Sequence, residues 1–116
     1  MKNQTGKLGE DFIAKKLEEK NYKIVCRNFR TRFGEIDIIA ENDTYIMFVE
    51  VKTRKIGGLQ NPTEAVDFRK QNRIRLAAQE YLQKNPSKLQ PRFDVAAVFT
   101  DMELKIVKWD IIENAF

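Results

Sequence analysis

Histidine is absent from all 116 residues, and that absence removes whole classes of chemistry. Ser-His-Asp and Cys-His nucleophile systems, imidazole zinc sites and histidine-based nuclease centres all need a ring that this chain lacks. Cysteine occurs once, as Cys26, which excludes an intrachain disulfide, a C-x-x-C redox pair and a cysteine zinc finger. Such sparing use points to a reducing, intracellular setting. Long apolar runs are missing as well: the run from Tyr45 to Val49 stops at Glu50, and Met1-Lys2-Asn3-Gln4 is polar. The expectation is a cytoplasmic protein with no membrane partner. Internal repeats, low-complexity stretches and the glycine loops G-x-G-x-x-G and G-x-x-x-x-G-K-S are not found, so no small-molecule cofactor is expected. Any catalysis must run on carboxylates, lysine or bound metal.

What is present suits one ordinary soluble domain spanning 1–116, because 42% apolar and 33% charged residues match the usual composition of such domains. A chain of this length buries roughly two-thirds of its unfolded surface, enough for one sheet covered by helices. Lysine and arginine outnumber acids for a net charge of +4, and the pI is near 9.2. That balance leans toward a polyanionic partner without proving one.

Periodicity predicts the order αβββαββ. Thr5 can cap a first helix whose apolar positions Leu8, Phe12, Ile13 and Leu17 recur at three- and four-residue steps, ending near Lys20-Asn21. Strands follow at Tyr22 to Arg30, at Glu35 to Glu41 after the Arg32-Phe33-Gly34 turn, and at Tyr45 to Thr53 after Asn42-Asp43. The third is the most apolar and is expected at the centre of the sheet. Lys55 to Gln60, with Gly57-Gly58, reads as a loop. Asn61 as N-cap, Pro62 at the first helical position and Glu64 closing a capping box predict the start of a long second helix, which Pro86 ends. Strands at Phe93 to Thr100 and Leu104 to Trp109 flank the Asp101-Met102-Glu103 turn, and Ile111 to Phe116 form a tail.

Acidic residues stand where a strand should be dry. Alternation puts Ile46, Phe48, Glu50 and Lys52 on one face of the third strand, with Met47, Val49 and Val51 on the other. Glu35 and Asp37 likewise share a face with Ile39 on the second strand. Buried unpaired charge costs several kcal/mol, so a sequence that keeps these residues is either pairing them or using them. If the second and third strands pair through the tight Asn42-Asp43 turn, the carboxylates meet Glu50 at one end of the sheet. There they would make a site for a hard, oxygen-seeking cation, Mg²⁺ or Mn²⁺. Lys52, about 7 Å along the strand from Glu50, would then reach a water or phosphate beside the metal. The bare spacing alone favours a strand-end ion pair, and it is the apolar flanks that bring the metal reading level with it.

The runs Gly34-Glu35-Ile36-Asp37-Ile38-Ile39-Ala40 and Phe48-Val49-Glu50-Val51-Lys52-Thr53-Arg54, after a helix opening Leu8-Gly9-Glu10, resemble the YraN family of small bacterial proteins. That family is similar to the archaeal Holliday junction resolvases of the PD-(D/E)XK, or restriction-endonuclease-like, superfamily. The likeness runs from Gly6 to Asn114-Ala115-Phe116; Ile36 stands where the superfamily carries proline. The resemblance implies an α/β fold, a three-layer core with a mixed central sheet flanked by helices. It implies a Mg²⁺- or Mn²⁺-dependent endonuclease acting on branched or irregular DNA in repair or recombination. Asp37 and Glu50 would hold the metal with the Val51 carbonyl as third ligand, Lys52 would be the catalytic lysine, and Glu10 would complete the metal site. The rival expectation is a nucleic-acid-binding or adaptor module with a weak or silent nuclease site.

Other residues carry two readings each. Glu10 also suits the N-terminal end of a helix dipole. Glu35 is an extra ligand or an ion-pair partner for nearby arginines, and Asp94 reads as a strand-end ion-pair residue. Lys70 interrupts the apolar stripe Val66, Ile74, Ala77 and Tyr81 on the second helix, so it either snorkels or leans toward a scissile phosphate. Arg30, Arg32, Arg54, Arg69, Lys70 and Arg73, with Arg27, Lys55 and Arg75, give the basic density expected of phosphate contacts. Cys26 is expected as a small buried hydrophobe and Trp109 as a core or interface aromatic. Symmetric cutting of a four-way junction would require a two-fold homodimer.

Overall fold

A computed structural model describes residues 4–57 and 67–116. Two helices, α1 (Gln4–Glu19) and α2 (Phe68–Lys84), cover the two faces of one five-stranded sheet. Its strands are β1 (Lys23–Arg30), β2 (Glu35–Glu41), β3 (Tyr45–Lys55), β4 (Gln90–Thr100) and β5 (Ile106–Ile112), lying side by side in chain order. The sheet is mixed. β1, β2 and β3 form an antiparallel meander, β4 runs parallel to β3, and β5 returns antiparallel. This α/β arrangement, in the order αβββαββ with β3 central, is consistent with a restriction-endonuclease-like core.

The alternation along β3 divides the core into two layers. Met47 and Val49 pack under α1 with Ile13, Ala14 and Leu17. Ile46 and Phe48 pack under α2 with Ile74, Ala77 and Ala78. A strand buried on both faces must be apolar on both, which is why β3 reads as a continuous hydrophobic run until Glu50. Its hairpin from β2 is closed by Asn42, whose Oδ1 accepts the Thr44 and Tyr45 amides at 2.9 and 2.7 Å. The end of α1 is set by Asn21, left-handed at φ 69°, with the Tyr22 N–H reaching the Leu17 carbonyl at 2.9 Å. That six-to-one bond closes the last turn and sends the chain back into β1.

Several boundaries differ from expectation. Thr5 lies inside the first turn of α1 and does not cap it. For α2 the cap is Asp67, extended at ψ 164°, whose carboxylate accepts the Lys70 amide at 2.8 Å. The helix therefore begins at Phe68, later than the Asn61 start; Gly58, Asn61, Pro62, Glu64 and Val66 lie outside the described residues. β4 begins at Gln90, ahead of Phe93, because its parallel register with β3 opens with Tyr45 opposite Gln90. β5 begins later, at Ile106. Asp101 Oδ1 ties the amides of Glu103 and Lys105, both at 2.9 Å, holding residues 101–105 in a turn. The expected tail is partly strand, since β5 includes Ile111 and Ile112.

Candidate functional site

The meander opens at one end. β2 and β3 pair from Glu41 opposite Ile46 up to Ile38 opposite Val49. Beyond that row the Val51 N–H donates to Asp37 Oδ2 at 2.8 Å. A side-chain carboxylate thus replaces the backbone carbonyl of a continued ladder, and the two strands part around it. Alternation also breaks here: Ile36 packs with Ile39 in the α2 layer, while Ile38 and Ala40 pack under α1. The expectation that Glu35 and Asp37 simply share the face of Ile39 therefore needs correction. They gather at the sheet end, within reach of both layers.

From the other layer comes Glu10. Gly9 lets α1 sit directly on β3, since a Cβ there would stand 1.8 Å from Thr53 Oγ1. The close approach delivers the next residue, Glu10, to the parting strands. One carboxylate oxygen each from Glu10, Glu35 and Asp37 lies within 4.8 Å of the others. Glu10 and Asp37 are only 3% and 4% exposed. Around an octahedral Mg²⁺ neighbouring oxygens stand about 3 Å apart and only opposite ones about 4.2 Å, so the three carboxylates would draw together on an ion. A hard oxygen donor set of this size and burial fits a divalent cation.

The negative charge is offset by a ring of donors. Asn28, left-handed at φ 53°, turns its amide nitrogen to Glu10 Oε1 at 2.8 Å and Glu35 Oε1 at 3.3 Å. Arg30 Nε donates to Glu35 Oε2 at 2.9 Å. Arg27 Nη2 lies 3.9 Å from Glu10 and 2.7 Å from Asp11, and its hydrogen bond holds the Asp11 carboxyl below the ordinary range. Glu50, 7% exposed, meets Lys70 Nζ at 2.5 Å.

A cleft of about 600 Å³ opens beside this cluster. Its sheet wall carries Glu35, Asp37, Glu50 and Val51, with Arg30 at the turn; its helix wall carries Asp67, Arg69, Lys70 and Arg73. One wall is acidic and the other mainly basic.

The structure thus brings Glu10, Glu35 and Asp37 into one cluster, and Glu50 and Val51 into the cleft beside it. Glu35 lies in the cluster and also pairs with Arg30. Of the expected phosphate contacts, Arg30, Arg69, Lys70 and Arg73 line the cleft. Arg32 instead lies 4.9 Å from the Phe33 ring centre, and Arg54 donates to the Thr53 carbonyl at 2.9 Å. Lys52 lies two residues past Glu50 on β3, half-buried and in register with Ala97. Asp94 is fully buried and takes two hydrogen bonds from Arg92, at 3.0 and 2.9 Å. Cys26 is half-buried at the α2 layer, its thiol pushed up by burial. Trp109 packs edge-on against Phe12 at 5.8 Å.

Two contributors escape sequence reasoning. Asn28 lies inside a strand, and only the tolerance of asparagine for left-handed backbone hints at its turn. Asp67 could have been found as an acidic residue two positions before the basic pair Arg69-Lys70.

A mixed α/β sheet whose central strands part around buried carboxylates defines a class of domain with an acidic centre compatible with a metal. Within that class, the model of the uncharacterised protein family UPF0102 matches residues 9–98. UPF0102 proteins of similar sequence occur in Alkaliphilus metalliredigens, 44% identical over the whole of both chains, and in Dictyoglomus turgidum, 38% identical over 97% of each. Another, from Caldanaerobacter subterraneus subsp. tengcongensis, is 44% identical over 99% of this chain and 96% of its own. The chain belongs to the UPF0102 family, which corresponds to the YraN family.

Proposed function

We propose that the protein is a metal-dependent phosphodiesterase that cuts DNA. The observation that carries this reading is the pairing of a buried carboxylate cluster, Glu10, Glu35 and Asp37, with a cationic cleft wall formed by Arg69, Lys70 and Arg73. A phosphodiester needs both: cations to hold its phosphates and anions to hold a metal beside the scissile group. Asp37 and Glu10 would hold Mg²⁺ or Mn²⁺, with Glu35, Glu50 and the Val51 carbonyl as further oxygens. Such an ion, when bound, supplies Lewis-acid polarisation of the phosphate and acidifies water.

The chain's own residues do the rest. Arg69 and Arg73 anchor the flanking backbone and fix its register without reading sequence. Asn28 orients Glu10 and Glu35 through their Oε1 atoms. Lys52, on β3 just past Glu50, is assigned to steady the attacking water or the charge that develops on the phosphate. Preference for branched DNA, action in repair or recombination and a two-fold dimer for paired cuts are supported by the resemblance to junction resolvases.

The test is cleavage of four-way junction, flap and linear duplex by purified protein in Mg²⁺ and in EDTA. Asp37→Asn and Lys52→Ala should abolish metal-dependent cleavage while leaving DNA affinity within a few-fold, because one residue is a small part of a multi-phosphate footprint. DNA binding without cleavage of any substrate would overturn the enzymatic reading. It would leave the rival, a binding module, which the basic helix wall favours on its own.

A further inference from the structure

Lys70 was expected either to snorkel into water or to lean over the carboxylate end of the sheet toward a phosphate, and it leans over that end. Its ammonium sits on Glu50 Oε1 at 2.5 Å. The pair is lopsided: the Glu50 side chain is 8% exposed and that of Lys70 is 50% exposed. A buried carboxylate therefore takes a counter-charge from the solvent side of the cleft. The backbone of Lys70 is pinned, since its N–H is the donor to the Asp67 cap at 2.8 Å. Its side chain is a four-carbon stem free to pivot about that fixed point.

Glu50 faces the cleft that Asp37 and Glu35 also line. An ammonium on its oxygen and a divalent cation among those carboxylates are like charges competing for one acidic pocket. Resting on the phosphodiesterase reading above, we infer that Lys70 is a displaceable counter-ion that opposes metal binding at this site. Metal entry expels the ammonium from Glu50, and the expelled group remains on the helix wall beside Arg69 and Arg73. Lys70 is thereby handed from carboxylate to substrate phosphate only when the metal is in place. The antagonism is reciprocal by linkage: whatever Lys70 contributes to the metal-free pocket is lost from the apparent affinity for metal. Phosphate that draws Lys70 away lowers that penalty, so metal and DNA favour one another.

Calorimetric titration of the full chain with Mg²⁺, in the absence of DNA, tests this without any reading of cleavage. Lys70→Met keeps the length of the stem and removes the charge. It should bind Mg²⁺ at least about fivefold more tightly than wild type, the low end of usual coupling between sites. Lys70→Arg, which restores a cation, should return the affinity to near that of wild type; Lys70→Gln provides a second neutral variant should Lys70→Met fold poorly. Equal or weaker Mg²⁺ binding by the neutral variants would overturn the inference and leave the metal site standing. Absence of Mg²⁺ binding in wild type and variants alike would overturn the phosphodiesterase reading together with it.

Discussion

The sheet holds two groups of buried charge, and they are built on opposite plans. Toward the start of β4, Arg92 and Asp94 are sealed under the α1 layer at 7% and 0% exposure. Asp94 accepts from Arg92 through both oxygens and from the Asn114 N–H at 3.0 Å. Arg92 lies on the Tyr45 ring at 4.7 Å and meets Glu113 at 3.6 Å. Burial works against the guanidinium charge, yet the hydrogen bonds to Asp94 and Tyr22 and the charges of Asp94 and Glu113 outweigh it, so its pKa is raised. At the parting of β2 and β3, by contrast, carboxylates converge on one another, and part of their compensation is a half-exposed lysine. One group is closed and charge-matched within the core; the other gathers several carboxylates beside an open cleft, with their cations Arg30 and Lys70 largely in solvent.

The largest effect should come from breaking the sealed pair. Asp94→Ala strands Arg92 without its main partner, and losing one half of a buried pair costs about 3–5 kcal/mol. Urea unfolding should show that loss with or without Mg²⁺. The double replacement Arg92→Met/Asp94→Leu should recover most of it, and equal destabilisation by single and double variants would contradict the pairing. Next in size is Gly9→Ala. Its Cβ would intrude on Thr53, and overpacking of this kind costs about 1–3 kcal/mol. Thr53→Ala in the same chain should relieve it, a coupling that a double-mutant cycle reads directly.

The cleft should respond in the opposite sense. Asp37→Asn removes one converging charge while the side-chain oxygen can still accept the Val51 N–H. In EDTA the variant should gain about 1 kcal/mol, or roughly 4 °C in midpoint for a domain of this size. Mg²⁺ should stabilise wild type and not the variant. A variant that melts lower than wild type in EDTA would make the acidic cluster structural, like the Arg92 pair. The smallest effect belongs to the half-exposed Asp11–Arg27 pair. Asp11 has its folded pKa lowered from 3.8, so its contribution is present above that value and lost as pH falls through the folded pKa. Screening by solvent leaves at most about 0.5 kcal/mol. Asp11→Asn should flatten acid unfolding by that amount and change nothing at neutral pH beyond it.

The same contrast explains what could be read from the chain. β2 was legible to the residue, because Gly34 and Asn42-Asp43 mark both its ends and alternation fills the space between. The start of α2 was not: Asn61 with Pro62 and Glu64 carries the fuller capping signature, yet the cap is Asp67. Asp37 stood out because acids in apolar company are costly wherever they fall, whereas Glu10 stood out only through the family resemblance. Lys70 was legible only as an interruption in a stripe, since its partner Glu50 lies across the cleft and nothing local encodes that distance. Asn28 was invisible, because its role depends on a left-handed turn within a strand that packing against Glu10 and Glu35 makes worthwhile.

All 11 residues of β3 pair with β4, and this is the one junction in the sheet that no hairpin makes. β1, β2 and β3 can zip together by short-range turns, as can β4 and β5, whereas β4 can dock on β3 only after the chain has passed through α2. Closing so long a loop is entropically slow compared with forming hairpins. On a ribosome Glu10, Glu35 and Asp37 are made first and α2 next, and α2 can settle on Ile36, Ile39, Ile46 and Phe48 of the meander before β4 has docked. The residues that line the cleft, from Arg30 to Ile74, are thus all in the chain before the strand that completes the sheet beneath them.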